Sequence, residues 1–290
     1  MAYYIAMDVG GTSIKTAVVD GDGHIVSQIK RFPSRSTEDE ETILTNFSSI
    51  LKDMNALATS RGLVIAGAGV GFPGPFDYDN GVCLMRGINK YDSIYGVNLK
   101  QELPCPYEIR FCNDADLYCL GECAFGEGQG FDRVMCVCIG TGLGSGFVAN
   151  GALVKTGGSV PKDGWLYHIP YRESIADHYI SATGLRRMIK ESTALQEIPD
   201  VKELDEAARA GNRDAIAVFE EFGKSLCEVV LPYAVRFGAQ CLVLGGDVSK
   251  GFDLFSSPLT KEAAKHGITV RQSRRFSDNT LIAAPLLFRG

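Results

Sequence analysis

The stretch Met7-Asp8-Val9-Gly10-Gly11-Thr12-Ser13-Ile14-Lys15 decides the fold. It follows the apolar run Tyr3-Tyr4-Ile5-Ala6, so a carboxylate and two glycines fall where a first strand ends. A hairpin turn is one reading, since glycine tolerates positive φ. The other is a loop whose backbone N–H groups close on an anion, as consecutive amides in a tight turn do.

The chain beyond repeats the plan. Lys15 to Val19 returns as a strand, Asp20-Gly21-Asp22-Gly23 makes a hairpin turn, and His24 to Phe32 comes back. Val134 to Ile139 is again wholly apolar. Gly140-Thr141-Gly142-Leu143-Gly144-Ser145-Gly146 follows it, then Phe147-Val148-Ala149 and the turn Asn150-Gly151. The two copies lie about 130 residues apart, an internal duplication. A third pair, Gly245-Gly246, ends the short strand Cys241 to Leu244. Three glycine turns, each after a buried strand, predict phosphate cradles on two similar sheets that face each other. No G-x-x-x-x-G-K-[ST] loop occurs, and no G-x-G-x-x-G opens a βαβ unit, so a P-loop and a dinucleotide fold are both poor readings.

Helices fill the rest. Thr37-x-x-Glu40 reads as a capping box ahead of the stripe Ile43, Leu44, Phe47, Ile50, Leu51, Met54 and Leu57, with Gly62 at the C-terminal end. Leu63 to Val70 is a buried strand running into Gly71-Phe72-Pro73-Gly74-Pro75, and residues 107 to 112 form another. Asn113-Asp114 then opens a helix. Ala182 to Glu191, Val201 to Ala210 and Asn212 to Phe237 carry helical spacing, with Pro232 expected to kink or divide the last. A final helix is expected within Asn279 to Phe288.

At 290 residues, 45% hydrophobic and 22% charged, the chain has the composition of a two-domain globular protein. A net charge of −6 argues against nucleic-acid and membrane-surface partners. No export signal precedes Asp8, and no run reaches the roughly 18 apolar residues of a membrane span. Nine cysteines, an odd number without C-x-x-C pairs, read as reduced buried thiols in a cytoplasmic protein.

Phosphoryl transfer to a hydroxyl needs a cradle for phosphates, a carboxylate for the metal and a base for the hydroxyl. The glycine turns offer the first, Asp8 the second through water, and Asp114 the third. A helix N-cap is the competing reading of Asp114.

Taken in order, Asp8-x-Gly10-Gly11-Thr12-x-x-Lys15, Gly71-x-Pro73-Gly74-Pro75, Asn113-Asp114-Ala115, Gly121-Glu122, Ile139-Gly140-Thr141-Gly142-x-Gly144-x-Gly146 and Leu244-Gly245-Gly246 resemble the ROK family (repressors, open reading frames, kinases) of the actin-like ATPase superfamily. The resemblance covers essentially the whole chain. It implies an α/β fold of two ribonuclease-H-like lobes with a nucleotide and sugar cleft between them. A smaller lobe would span residues 1–112, with the terminal helix at 279–290 packed back on it, and a larger lobe 113–278. It also implies ATP and Mg²⁺, a homodimer, and glucokinase-like phosphorylation of a sugar or sugar-like polyol.

Carried over residue by residue, the first phosphate motif falls on Gly10, Gly11, Thr12 and Lys15, with Asp8 toward the metal. The second falls on Gly140, Thr141, Gly142 and Gly144, and the adenosine-side glycines on Gly245 and Gly246. The base falls on Asp114. Sugar contacts fall on Asn113, Asn89 and the Gly74 loop. One region departs from the family. Where members carry Gly-Glu-x-Gly-His and a cysteine-rich zinc segment, this chain has Gly164-Trp165-Leu166-Tyr167-His168 and no cysteines, with Asp177 where the last Glu would stand. A structural zinc is therefore not expected. Trp165, His168 and Asp177 become acceptor candidates, and Trp165 replaces the Glu that binds sugar hydroxyls in the family. Core packing is the alternative for Trp165 and His168. The competing function is a catalytically silent sugar-binding regulator; the motif begins too early in the chain for a DNA-binding segment ahead of it.

Overall fold

The computed structural model describes residues 2–275 and 278–289. Two compact units emerge, Met1–Gly121 with Asp278–Gly290, and Glu122–Ser277.

In the first unit, β1 (Tyr3–Val9), β2 (Ser13–Asp20), β3 (Lys30–Pro33), β4 (Ile65–Phe72) and β5 (Glu108–Asn113) form one sheet in the order β3-β2-β1-β4-β5. The first three strands run antiparallel; β4 and β5 join parallel to β1. In the second unit, β6 (Arg133–Ile139), β7 (Leu143–Ala149), β8 (Ala152–Leu153), β9 (Cys241–Gly245) and β10 (Thr269–Gln272) repeat the order as β8-β7-β6-β9-β10, with the same senses. The duplication read from the glycine turns is thus a duplication of whole ribonuclease-H-like sheets.

The first sheet has a large-residue face and a small-residue face. Ile5, Met7, Val9 and Ile14 join Ile43, Phe47, Ile50 and Met54 of α1 (Glu40–Ser60) in one core. Each fully buried side chain of this kind is worth roughly 1.5–3 kcal/mol. The other face carries Ala6 and Ala17, packed with Leu281 and Ala284 of the C-terminal segment that begins with α7 (Asn279–Ala283). On β4 that face is glycine. A Cβ on Gly67 would stand 2.5 Å from the Phe288 ring, one on Gly69 2.7 Å from the Ala284 carbonyl, and one on Gly71 2.6 Å from Thr280. Glycine at every second residue lets the terminal segment lie against the sheet backbone. Gly69→Val is therefore expected to destabilise the protein by about 3 kcal/mol, because backbone must move. A urea midpoint unchanged from wild type would contradict this.

The second sheet packs against α3 (Ala182–Glu191), α4 (Val201–Arg209), α5 (Arg213–Phe237) and α6 (Ser257–Ala264), with Phe147, Phe219, Phe222, Leu242 and Leu244 in the core.

Two expectations need correcting, and of the two outcomes expected at Pro232 one drops out. The α1 cap is Asp39, whose carboxylate accepts from the Thr42 N–H at 2.7 Å; Thr37 lies outside the helix. The return after the first hairpin is shorter than His24 to Phe32, a bridge at Ile25 and then Lys30–Pro33. Pro232 does not divide α5, which runs unbroken through it. That proline is exposed, so the carbonyl it leaves without a donor can meet water. No helix among the described residues is long and apolar enough to cross a membrane. No disulfide joins any of the nine cysteines, five of which are buried.

Candidate active site

The β1–β2 turn is built so that its carbonyls are tied inward. The Gly10 N–H donates to the Ser13 carbonyl at 3.0 Å. The Gly10 carbonyl accepts from the Tyr91 hydroxyl at 2.9 Å, and the Gly11 carbonyl from the hydroxyls of Ser34, at 2.6 Å, and Ser36. The Thr12 carbonyl accepts from the Ser34 N–H at 3.0 Å. The N–H groups of Gly11 and Thr12, both exposed residues, make no hydrogen bond among the described residues. Two adjacent free amides are what an anion nest presents.

Asp8 stands at the root of this turn, opposite Lys15 in the β1–β2 register. The Lys15 Nζ lies 3.9 Å from Asp8 Oδ2 and 4.0 Å from Asp278 Oδ1. Burial pushes the Asp8 carboxyl up to about 7; Lys15 and Arg31 oppose this, and the charges of Asp114 and Asp278 add to it.

Asp114 opens α2 (Asp114–Phe125) directly after β5. The cap of this helix is Asn113: its Oδ1 accepts from the N–H groups of Ala115 at 3.1 Å and Asp116 at 3.2 Å. Asp114 Oδ1 shares the Ala115 donor at 3.0 Å. The capping function that competed for Asp114 is thus met by its neighbour. Burial raises the Asp114 carboxyl above the ordinary range, against the pull of the Ala115 N–H and of Lys90. The Asn113 amide is engaged at both ends, since its Nδ2 donates to the Tyr78 hydroxyl at 3.1 Å.

The second unit repeats the turn device. Gly140 N–H donates to the Gly142 carbonyl at 2.9 Å, the Gly140 carbonyl accepts from Ala182 N–H at 2.9 Å, and the Thr141 carbonyl from the Thr183 hydroxyl at 2.9 Å. The Thr141 and Gly142 amides make no hydrogen bond among the described residues. Gly144 is already in β7, paired with Cys138. Asp177 sits under this turn, its Oδ1 accepting from Leu143 N–H at 2.6 Å. Its carboxylate thus braces the glycine turn. Gly245 ends β9, and Gly246 follows at φ 81°, where a Cβ would stand 2.4 Å from the Ile139 carbonyl. Only glycine fits there.

Trp165 and His168 lie on one segment, fixed by Ser145, whose hydroxyl donates to the Gly164 carbonyl at 2.7 Å and accepts from Leu166 N–H at 2.9 Å. The Trp165 Nε1 and the His168 Nδ1 are both buried without a hydrogen-bond partner. Tyr167 stands between them, 6.0 Å from the Trp165 ring and 4.9 Å from the His168 ring. Purely structural packing leaves two such orphans unexplained, because a buried polar atom without a partner costs about 1–3 kcal/mol.

The structure therefore brings Asp8, Gly10, Gly11, Thr12, Lys15 and Asp114 together in the first unit. Asn89 lies on an exposed loop at φ 58°, and Gly74 precedes Pro75 across a cis bond. Sequence reasoning missed Lys90 and Asp278. Lys90 adjoins the weakly matched Asn89. Asp278 is 270 residues from Asp8 and arrives only because the terminal segment returns to the first sheet. Among the described residues no group of three or more His, Cys, Asp or Glu is arranged to hold a metal.

With this geometry in hand, the chain matches the model of the ROK family over residues 4–277, and it belongs to that family. It is 27% identical over 286 residues to the glucokinase of Thermotoga maritima, covering 90% of this chain and 87% of that protein. It is 24% identical to the N-acetyl-D-glucosamine kinase of Yersinia enterocolitica, covering 94% and 92%. Its fold matches a ROK family glucokinase of Streptomyces griseus, solved with glucose and AMPPNP, at a TM-score of 0.80 over 100% of both chains and 23% identity.

Proposed function

We infer that this chain is an ATP-dependent carbohydrate kinase that phosphorylates a hydroxyl of a sugar or sugar-like polyol. One observation carries the reading. A carboxylate that its helix does not need as a cap, Asp114, shares one electrostatic neighbourhood with Asp8, at the root of a turn presenting two free amides. A decayed site has no reason to keep all three.

The roles follow from the chemistry of each group. The Gly11 and Thr12 amides, and those of Thr141 and Gly142, bind phosphate oxygens. Lys15 adds charge to the first cradle. Asp114 takes the acceptor's proton as the acceptor oxygen bonds to the γ-phosphorus. The bond from that phosphorus to the β–γ bridging oxygen breaks, and its electron pair leaves with ADP.

Asp8 fits a role in holding Mg²⁺. Its buried carboxyl sits among other acids and is held up to about 7, a penalty that a cation relieves. With no cage of three protein ligands among the described residues, Asp8 would hold a largely hydrated ion, as Mg²⁺ prefers. When bound, Mg²⁺ neutralises the phosphate charge.

Trp165 and His168 are the residues proposed to read the acceptor, each with one unpaired ring nitrogen to offer. A carboxylate accepts from two hydroxyls; an indole N–H only donates, and its ring offers an apolar face. This favours acceptors that present an acceptor oxygen or an apolar substituent there, such as N-acyl sugars and glycosides, over free glucose. A coupled ADP-release assay with Mg·ATP across hexoses, N-acetylhexosamines, glycosides and inositols tests the reading. One class should raise turnover about 100-fold above acceptor-free hydrolysis. Sugars that bind by calorimetry without any turnover would support a silent regulator instead.

A further inference from the structure

Lys90 is a cation near the first glycine turn that neither the sequence motifs nor the roles above use. Its placement is unusually constrained. Asn89 and Tyr91 on either side of it hold φ of 58° and 56°, a left-handed backbone that non-glycine residues adopt rarely. Such strain persists only where the surroundings impose it. Here the Asp92 carboxylate accepts from the N–H groups of Ile88 at 3.3 Å and Asn89 at 2.7 Å. Tyr91 is fully buried, its ring 5.2 Å from that of Phe72, and its hydroxyl holds the Gly10 carbonyl at 2.9 Å. Tyr91 thus clamps this loop to the phosphate turn.

The clamp sets Lys90 over the turn. Its Cδ lies 3.5 Å from where a Cβ of Gly11 would stand, and its charge acts on Asp114. No carboxylate pairs with this half-buried ammonium among the described residues. A strained, clamped loop that holds an unpaired cation between an amide nest and a candidate base implies an anionic ligand for that cation.

We propose that Lys90 is a catalytic cation that contacts the oxygens of the phosphoryl group in transit between the Gly10–Gly11 turn and the acceptor. The proposal rests on the kinase reading. In the loose transition state of phosphoryl transfer, charge spreads over the three equatorial oxygens, and a fixed cation there acts most strongly at that moment. Lys90 makes and breaks no bond. The hydroxyl proton goes to Asp114, the new bond joins the acceptor oxygen to phosphorus, and the old electron pair leaves on ADP.

Steady-state kinetics of wild type, Lys90→Met and Lys90→Arg, with the acceptor found by the panel, test this. Lys90→Met should lower kcat about 100-fold and move KM for ATP less than about threefold, and Lys90→Arg should recover most of the loss. Calorimetric binding of Mg·AMPPNP and the thermal midpoint should stay near wild type. Lys90→Met within about threefold of wild type would overturn the proposal and leave the kinase reading standing. So would a loss confined to the acceptor KM, which would make Lys90 a substrate contact. A wild type that phosphorylates nothing on the panel would overturn both.

Discussion

Asp114→Asn is expected to cut turnover about 10³-fold while the protein stays folded. The substitution discriminates well because asparagine caps helices as well as aspartate does. Were Asp114 a cap, the variant would be nearly as active as wild type. The α2 cap, however, is Asn113, which already accepts from the Ala115 and Asp116 amides. What the variant loses is the proton acceptor. Its unfolding midpoint should stay level or rise slightly, since burial disfavours the wild-type carboxylate. The pH profile carries the same signature. A buried base must be ionised to work, so wild-type activity should fall on acidification with a midpoint above the ordinary carboxylate value of 3.8. The residual activity of the variant should lack that limb.

Asp8→Asn is expected to lower activity about 100-fold or more and to stabilise the nucleotide-free protein. The Asp8 carboxyl sits at about 7 in the fold against 3.8 for the free group. The folded state therefore binds its proton more tightly than the unfolded chain does. That contribution to stability is fully present below about 3.8 and is lost as pH rises through about 7. Above pH 7 the wild type carries a charged carboxylate only 21% exposed beside two others, and asparagine does not. At pH 8 the variant should be the more stable by about 2 kcal/mol, and near pH 4 the gap should close. Thermal midpoints at both pH values check this. A variant less stable than wild type at pH 8 would mean that Lys15 outweighs burial. The site would then be held by an ion pair and would not be strained toward a cation.

The repeated strand–glycine turn–strand plan was legible because local chemistry dictates it. Apolar runs make buried strands, and Asp-Gly or Asn-Gly makes the hairpins. From it the two sheets, the two nests and Asp8 could be placed. Asn113 and Asp114 were legible as a pair, but their division of labour was not. Which of two adjacent polar residues caps a helix depends on where β5 delivers the chain. The α1 cap at Asp39 was missed for the same reason: Thr37 fits the pattern equally well in one dimension. Lys90 and Asp278 left no local signal. Lys90 depends on a left-handed loop clamped by Tyr91, and Asp278 on a terminal segment that docks because β4 shows Gly67, Gly69 and Gly71 on one face. The orphaned nitrogens of Trp165 and His168 are a fact of packing that no sequence pattern encodes.

The most direct test of the central claim is the fate of the γ-phosphoryl group. Wild type and Asp114→Asn would each be mixed with γ-labelled Mg·ATP and the best acceptor of the panel under single-turnover conditions. Label appearing in the sugar fraction, in step with ADP for wild type and about 10³-fold more slowly for the variant, is the predicted result. Label appearing only as inorganic phosphate, or in the sugar at equal rates in both proteins, would contradict an Asp114-dependent carbohydrate kinase.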